Sequence, residues 1–303
     1  MTGANSGLGF EAAKLLARLK CSTIVLACRS VEKGEVAKRS ILETSSSSHP
    51  EILVRVIDLG SFSSVAKFAD ECKSLPRIDA AILNAGVHLS EFTLAEGYET
   101  TLTVNVISTF LLLTLLLPTL QQHAAKYHIT PRIAVVGSYV HNMAKHKDLT
   151  DPRPGTIFKT LSDPNTNKMT DDRYNLSKLP VMLLVKYLAE RATAATNTPS
   201  GPPLVVINNV APGFCNTPLF RNHSTAARAA GLVGRTGEHG ARTLVHGGVV
   251  AGKESHGQYL SECRVKKPSP FVNSKEGDAT AQKIWDELKV IYEQVQPGCT
   301  AVF

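Results

Sequence analysis

Five short apolar runs recur along the chain, each closed by turn residues: 23–28 (TIVLAC), 52–58 (ILVRVID), 80–86 (AAILNAG), 132–138 (RIAVVGS) and 204–210 (LVVINNV). Several are apolar without alternation, the pattern of strands covered on both faces. Between them lie stretches with helical spacing: FEAAKLLARL, SVEKGEVAKRSIL, SSVAKFADECKSL, TVNVISTFLLLTLLLPTLQQH and SKLPVMLLVKYLAERA. This alternation predicts right-handed crossovers and a doubly wound parallel α/β sheet, with 1–303 forming a single domain. The segments 43–50 and 196–203 read as loops from their Ser, Thr and Pro content. The longer stretch 141–173 carries Pro152, Pro154, Gly155 and Pro164 and reads as an insertion rather than a core element.

Composition narrows the classes. With 303 residues, 43% of them hydrophobic, the chain can bury one substantial core. Its 33 basic and 26 acidic residues give a net charge of +7, spread without a basic block interleaved with aromatics. That excludes a nucleic-acid footprint and suits an anionic ligand. Cys21, Cys28, Cys72, Cys215, Cys263 and Cys299 show no C-x-x-C, and the ten histidines form no H-E-x-x-H. Reduced thiols and no metal are expected. The longest apolar run, 110–120, falls short of the ~20 residues that span a bilayer, and no signal peptide is present. The expectation is a soluble, cytoplasmic protein without a membrane anchor.

The opening stretch, Thr2-Gly3-Ala4-Asn5-Ser6-Gly7-Leu8-Gly9, runs into a helical pattern near Phe10. Glycines here let the backbone approach a pyrophosphate, with the N–H groups of a helix start aimed at its charge. Gly3, Ser6, Gly7, Leu8 and Gly9 are therefore cofactor candidates. The turn lacks the G-K-[ST] of a nucleoside-triphosphate loop. At the end of the next apolar run stands Arg29, where an acid would bind the ribose hydroxyl of NAD; a guanidinium suits the 2′-phosphate of NADP. Tyr174 and Lys178 are four apart and so share a helical face. A nearby ammonium is expected to lower the tyrosine's ordinary pKa of ~10.

Taken together these stretches resemble the short-chain dehydrogenase/reductase family, whose motifs appear in order. The T-G-x-x-x-G-x-G turn is Thr2 to Gly9, N-A-G is Asn84-Ala85-Gly86, Y-x-x-x-K is Tyr174 and Lys178, and P-G is Pro212-Gly213. The resemblance implies a Rossmann-type sheet binding NADP and carbonyl–alcohol interconversion. It further implies that Asp58 contacts the adenine ring and that Asn84 and Thr217 border the cofactor. Ser138 would orient the substrate oxygen, Tyr174 carry the proton, and Lys178 bind the nicotinamide ribose. Asn105 would hold a water linking Lys178 to solvent. The stretches ACRS, ESHGQYLSEC and IWDELKVI are similar to the retinol-dehydrogenase-like branch. The 36-residue gap from Ser138 to Tyr174 resembles reductases of filamentous-fungal secondary metabolism.

One departure stands out. In the family the glycine turn follows the central first strand, and here only Met1 precedes Thr2, so that strand is expected to be missing. A truncated relative that no longer binds cofactor, or acts by binding a partner, is the competing expectation. The segment 214–235 is expected to cover an apolar small-molecule substrate as a lid. The leucine-rich stretch 111–117 reads as a helix buried against the sheet or a partner subunit, with a homodimer implied by the resemblance. His141 is a candidate for the substrate mouth against the reading of a loop histidine without chemistry, and Cys215 reads as a packing residue near the nicotinamide. Asn222-His223-Ser224 has the N-glycosylation pattern, without relevance in an unsecreted chain.

Overall fold

The computed structural model describes residues 1–44, 50–153, 155–165, 171–195, 201–220 and 234–303, with Asp171, Asp172 and Phe220 in backbone only. Its first half alternates α1 (Gly7–Arg18), β1 (Thr23–Cys28), α2 (Val31–Thr44), β2 (Glu51–Val56), α3 (Phe62–Lys73) and β3 (Ala80–Leu83). The second half runs α4 (Ser108–Tyr127), β4 (Arg132–Val136), α5 (Asp171–Ala194), β5 (Val206–Ala211), α6 (Gly237–Val245), β6 (Tyr259–Ser261), β7 (Arg264–Lys266) and α7 (Lys275–Val295). The alternation read from the sequence is therefore the architecture: β1 has the bounds read for it, β2, β3 and β4 stop two or three residues early, and β5 starts and ends slightly later.

Apart from a short antiparallel pair, Leu94–Ala95 with Tyr98–Glu99, the strands form two pieces, β2–β1 and β3–β4–β5–β6–β7, parallel except for the last hairpin. Between β1 and β3 stand only Met1–Gly3. Ala27 donates its N–H to the Met1 carbonyl (2.9 Å), Gly3 donates to Ala27 (2.8 Å), and Thr2 donates to Ile82 (3.1 Å). Three residues thus join the pieces at the carboxyl ends of the strands, the edge at which open α/β sheets bind ligands.

Period-two alternation divides the core into two layers. Ile82, Ala134 and Val210 face α1 and α6, whereas Leu83, Ile133, Val135 and Ile207 face the layer of α3, α4 and α5. Helix α1 is held close to α6 because Gly240 has no side chain where Leu8 and Cys215 press against it.

Helix α4 continues a turn at Thr100–Leu102 and a π-helical turn at Thr103–Ile107. The combined helix, Thr100–Tyr127, has 28 residues and a mean hydropathy of 1.9, long and apolar enough to cross a membrane, which the run 110–120 taken alone is not. Within this fold 94% of its most apolar window is buried, so it is a core helix. Helix α3 flanks it, the turn Cys299–Val302 closes over it, and α7 lies along α5. The Tyr292 hydroxyl of α7 donates to the Ile107 carbonyl (2.8 Å). The apolar face that the sequence left open to either the sheet or a second subunit is covered within one chain.

The segment 141–173 differs from its sequence reading. Leu149, Ile157, Phe158 and Leu161 are buried in the main core. The backbone N–H groups of Ile157 and Phe158 are accepted by the buried Glu287 carboxylate of α7, at 2.9 and 3.0 Å. A loop's proline content marks irregular backbone; burial depends on a side chain 130 residues away. Pro154 and residues 166–170 of this segment lie outside the described residues, as do 221–233 of the expected lid, including Asn222, His223 and Ser224.

Candidate active site

A cleft of 1170 Å³ opens at the carboxyl edge of the sheet. Ordinary small-molecule pockets are ~300–1000 Å³, so this one has room for a dinucleotide and a second ligand. It is lined by Gly3, Ser6, Gly7 and Leu8, by Arg29, Ser30 and Lys33, by Asp58 and Thr217, and by Ser138, Tyr174 and Lys178.

The glycine turn is built as the sequence demands. Gly3 and Gly7 adopt positive φ, 63° and 55°, which side chains disfavour. A Cβ on Gly9 would collide with the Gly3 carbonyl oxygen. Asn84 fastens the turn: its Nδ2 donates to the Thr2 carbonyl (3.0 Å), while Thr2 Oγ1 accepts the N–H groups of Asn84 (3.0 Å) and Ala85 (2.9 Å). Asn84 therefore braces the glycine turn and also lines the cleft. Ser6 precedes α1 without capping it through its side chain, which leaves the first N–H groups of the helix for the cleft. These features fit a pyrophosphate, so the residues present suit a dinucleotide.

Arg29 and Lys33 both border the cleft beyond the strand β1. Lys33 was missed in the sequence, although it stands four residues after Arg29, at the start of α2. Asp58 is exposed beside them and accepts the Gly60 N–H (2.8 Å). Thr217 and Pro218 lie against the glycine turn, 3.7 and 3.5 Å from where a Gly7 Cβ would stand.

Ser138, two residues past β4, and Tyr174 and Lys178, one turn apart on α5, meet in the cleft, with the Ser138 hydroxyl close enough to act on the phenol. Burial pushes the Tyr174 phenol up to about 12, against the lowering effect of Ser138. Burial also brings the Lys178 amine down to about 8. The sequence-based expectation that the lysine lowers the tyrosine does not hold in this geometry. Lys178 Nζ donates to the Val136 carbonyl (3.0 Å) and sits 5.6 Å from the phenol ring centre, while dehydration of both groups dominates. His88 stacks on the Tyr174 ring at 4.6 Å, a contact that no spacing in the sequence announces.

Asn105 lies in the π-helical turn that leads into α4. Its Oδ1 accepts the Val87 N–H (2.8 Å), and its Nδ2 donates to the Val87 carbonyl (2.9 Å) and the Ser177 hydroxyl (3.0 Å). It does not bond Lys178. Both groups face Gly86, where a Cβ would stand 3.1 Å from Asn105 Oδ1 and 3.7 Å from Lys178 Nζ. Cys215 is buried at the cleft wall and burial raises its thiol, consistent with packing. His141 does not line the cleft; it is buried behind Ser138. Among the described residues no group of three or more His, Cys, Asp or Glu is arranged to hold a metal.

Comparison with known proteins places this geometry. Residues 1–146 match the family described as short chain dehydrogenase. The whole chain is 39% identical over 307 residues to a short chain dehydrogenase/reductase of Cryptosporiopsis sp., covering 92% of it. It is also 39% identical to a short-chain dehydrogenase of Penicillium roqueforti, over 98% of this chain and 78% of the relative. Among solved structures, 3-oxoacyl (acyl-carrier-protein) reductase from Agrobacterium tumefaciens with NADP bound shares the fold. Its TM-score is 0.62 at 15% identity, over 86% of this chain and 90% of the other.

Proposed function

The chain belongs to the short-chain dehydrogenase/reductase family, and on that premise we propose that it is an NADP(H)-dependent oxidoreductase interconverting a carbonyl and an alcohol on an apolar small molecule of fungal secondary metabolism. The observation that carries the reading is the meeting of Ser138, Tyr174 and Lys178 in the same cleft as the glycine turn. NADP is favoured over NAD by Arg29 and Lys33, two cations at the end where an acidic residue would suit a free ribose hydroxyl.

When bound, the nicotinamide supplies or takes up the hydride. The chain's own part is the proton. Tyr174, whose phenol is held protonated to about 12, donates to the oxygen that becomes an alcohol. Ser138 hydrogen-bonds that oxygen and fixes its direction. Lys178, charged for the most part below about 8, stands as a positive charge 5.6 Å from the ring that becomes a phenolate when the phenol gives up its proton. Asn105 holds the Val87 backbone and Ser177 in place around that amine. Arg29 and Lys33 take the 2′-phosphate, and Thr217 closes over the glycine turn.

Tyr139, Met143 and Phe214 are exposed apolar side chains at the substrate mouth, which suits an apolar ligand. The test is a panel of apolar ketones and aldehydes with NADPH, followed by nicotinamide absorbance. Oxidation of NADPH by at least one member is expected. Tight cofactor binding with no oxidation across the panel would remove the reductase reading.

A further inference from the structure

We infer that His141 is a positioning residue for the Ser138–Tyr174 pair: it locks the Ser138 carbonyl and ties the serine loop to the substrate wall through Ser269. The inference rests on the reductase reading and extends it to a residue behind the cleft.

Ser138, two residues past β4, is extended (φ −161°, ψ 153°) and caps the 3₁₀ turn Tyr139–Met143, its Oγ accepting the Val140 N–H at 3.3 Å. The three-residue step inside that turn folds the His141 ring back onto the residue that began it. Nδ1 lies 2.6 Å from the Ser138 carbonyl oxygen, and Nε2 lies 3.0 Å from the Ser269 backbone nitrogen. A carbonyl only accepts and an amide N–H only donates. The ring is therefore neutral, with its proton on Nδ1. A protonated ring loses the Ser269 bond, and the other tautomer loses both.

The ring is 1% exposed, so neither bond has water as a substitute. It also packs edge-on against Tyr259 at 5.3 Å. Tyr259 and Ser261 of β6, with Lys266 of β7, line the far side of the cleft, and Ser269 follows directly after this hairpin. A second tie runs parallel, as His146 stacks on Phe271 at 4.6 Å. Rotation of the Ser138–Tyr139 peptide would carry the hydroxyl off the phenol. His141 blocks that rotation while anchoring the wall against which the substrate rests. Misplacement of a reacting group by ~1 Å costs up to about a hundredfold in rate.

Three variants separate the two bonds. In His141→Asn the amide nitrogen still reaches Ser138 as a donor but gives up Ser269. In His141→Gln the longer amide still accepts from Ser269 but gives up Ser138. His141→Leu gives up both. Each is assayed for kcat, KM, NADPH Kd and unfolding midpoint.

His141→Leu and His141→Gln should lose about tenfold or more in kcat with NADPH Kd within about twofold of the wild type, and His141→Asn should stay within about threefold in kcat while its KM rises. All three are expected to be destabilised, so kcat must follow the Ser138 donor and not the midpoint. If His141→Leu does not fold, the Asn and Gln pair decides alone. Equal kcat in Asn and Gln, or kcat falling in step with the midpoint whatever the donor, overturns the positioning role. A wild type that binds NADPH and reduces nothing overturns the reductase reading and this inference with it; an active wild type with unaffected variants overturns the inference alone.

Discussion

Replacing Gly9 with alanine puts one methyl group into the tightest point of the cofactor cradle. The new Cβ would overlap the Gly3 carbonyl oxygen and stand 2.7 Å from Asn84 Nδ2. Neither neighbour can yield cheaply. Gly3 is tied to Ala27 (2.8 Å), and Asn84 holds the Thr2 carbonyl (3.0 Å). Overpacking of this kind costs ~1–3 kcal/mol. Alanine's better helix propensity returns at most ~1 kcal/mol. The net loss of stability is then small, while the displaced backbone is the part that would face pyrophosphate. A displacement worth ~1.5–3 kcal/mol of lost contact raises the NADPH Kd by about tenfold to a hundredfold. Fluorescence titration with NADPH reads that shift, and urea unfolding of the same samples reads stability. Gly237→Ala is the control, because Gly237 has no positive φ and its would-be Cβ meets only the Glu11 side chain, at 3.4 Å. An NADPH Kd for Gly9→Ala within about twofold of wild type would refute the cradle argument.

Other substitutions probe separate parts of the account. Lys178→Met should stabilise the fold while removing activity: burial lowers the amine to about 8, so below that pH the charged form is held at a cost of up to ~3 kcal/mol. Because the unfolded chain binds the extra proton between about 8 and 10.5, wild-type stability gains on the variant as pH rises through that window, and the advantage of Met closes. Denaturant unfolding at pH 7 and at alkaline pH checks both, and an equal gap at the two would contradict the assignment. Arg29→Ala should weaken NADPH binding by about tenfold and leave NADH nearly unchanged, measured by paired titrations; equal weakening of both cofactors would reject the phosphate role. Glu287→Leu removes the acceptor of two buried N–H groups and should cost ~2–5 kcal/mol in urea unfolding, with Glu287→Gln losing about half as much.

Much of the architecture was legible because it depends on local spacing. Apolar runs and helical periods placed every main strand and helix from α1 to β5, and the glycines at 3, 7 and 9 are required by backbone geometry that composition alone exposes. The Tyr174–Lys178 step is likewise a property of one helix. Features that depend on depth or on distant contacts were not legible. The phenol's pKa was read from the neighbouring charge, whereas burial dominates it. His141 bonds to a residue 128 positions away, and Glu287 to one 130 away, so no window of sequence contains either contact. Helix α7 was not read from the sequence, and only the fold reveals that Tyr292 reaches the turn carrying Asn105.

The claim on which the account rests is that Tyr174 transfers the proton that accompanies hydride transfer. Stopped-flow measurement of NADPH oxidation in Tyr174→Phe, against wild type on one reduced carbonyl, tests it most directly. The account predicts a fall of at least about a hundredfold in the chemical step, with NADPH Kd within about threefold of wild type. Oxidation by Tyr174→Phe at a rate near that of the wild type would contradict it.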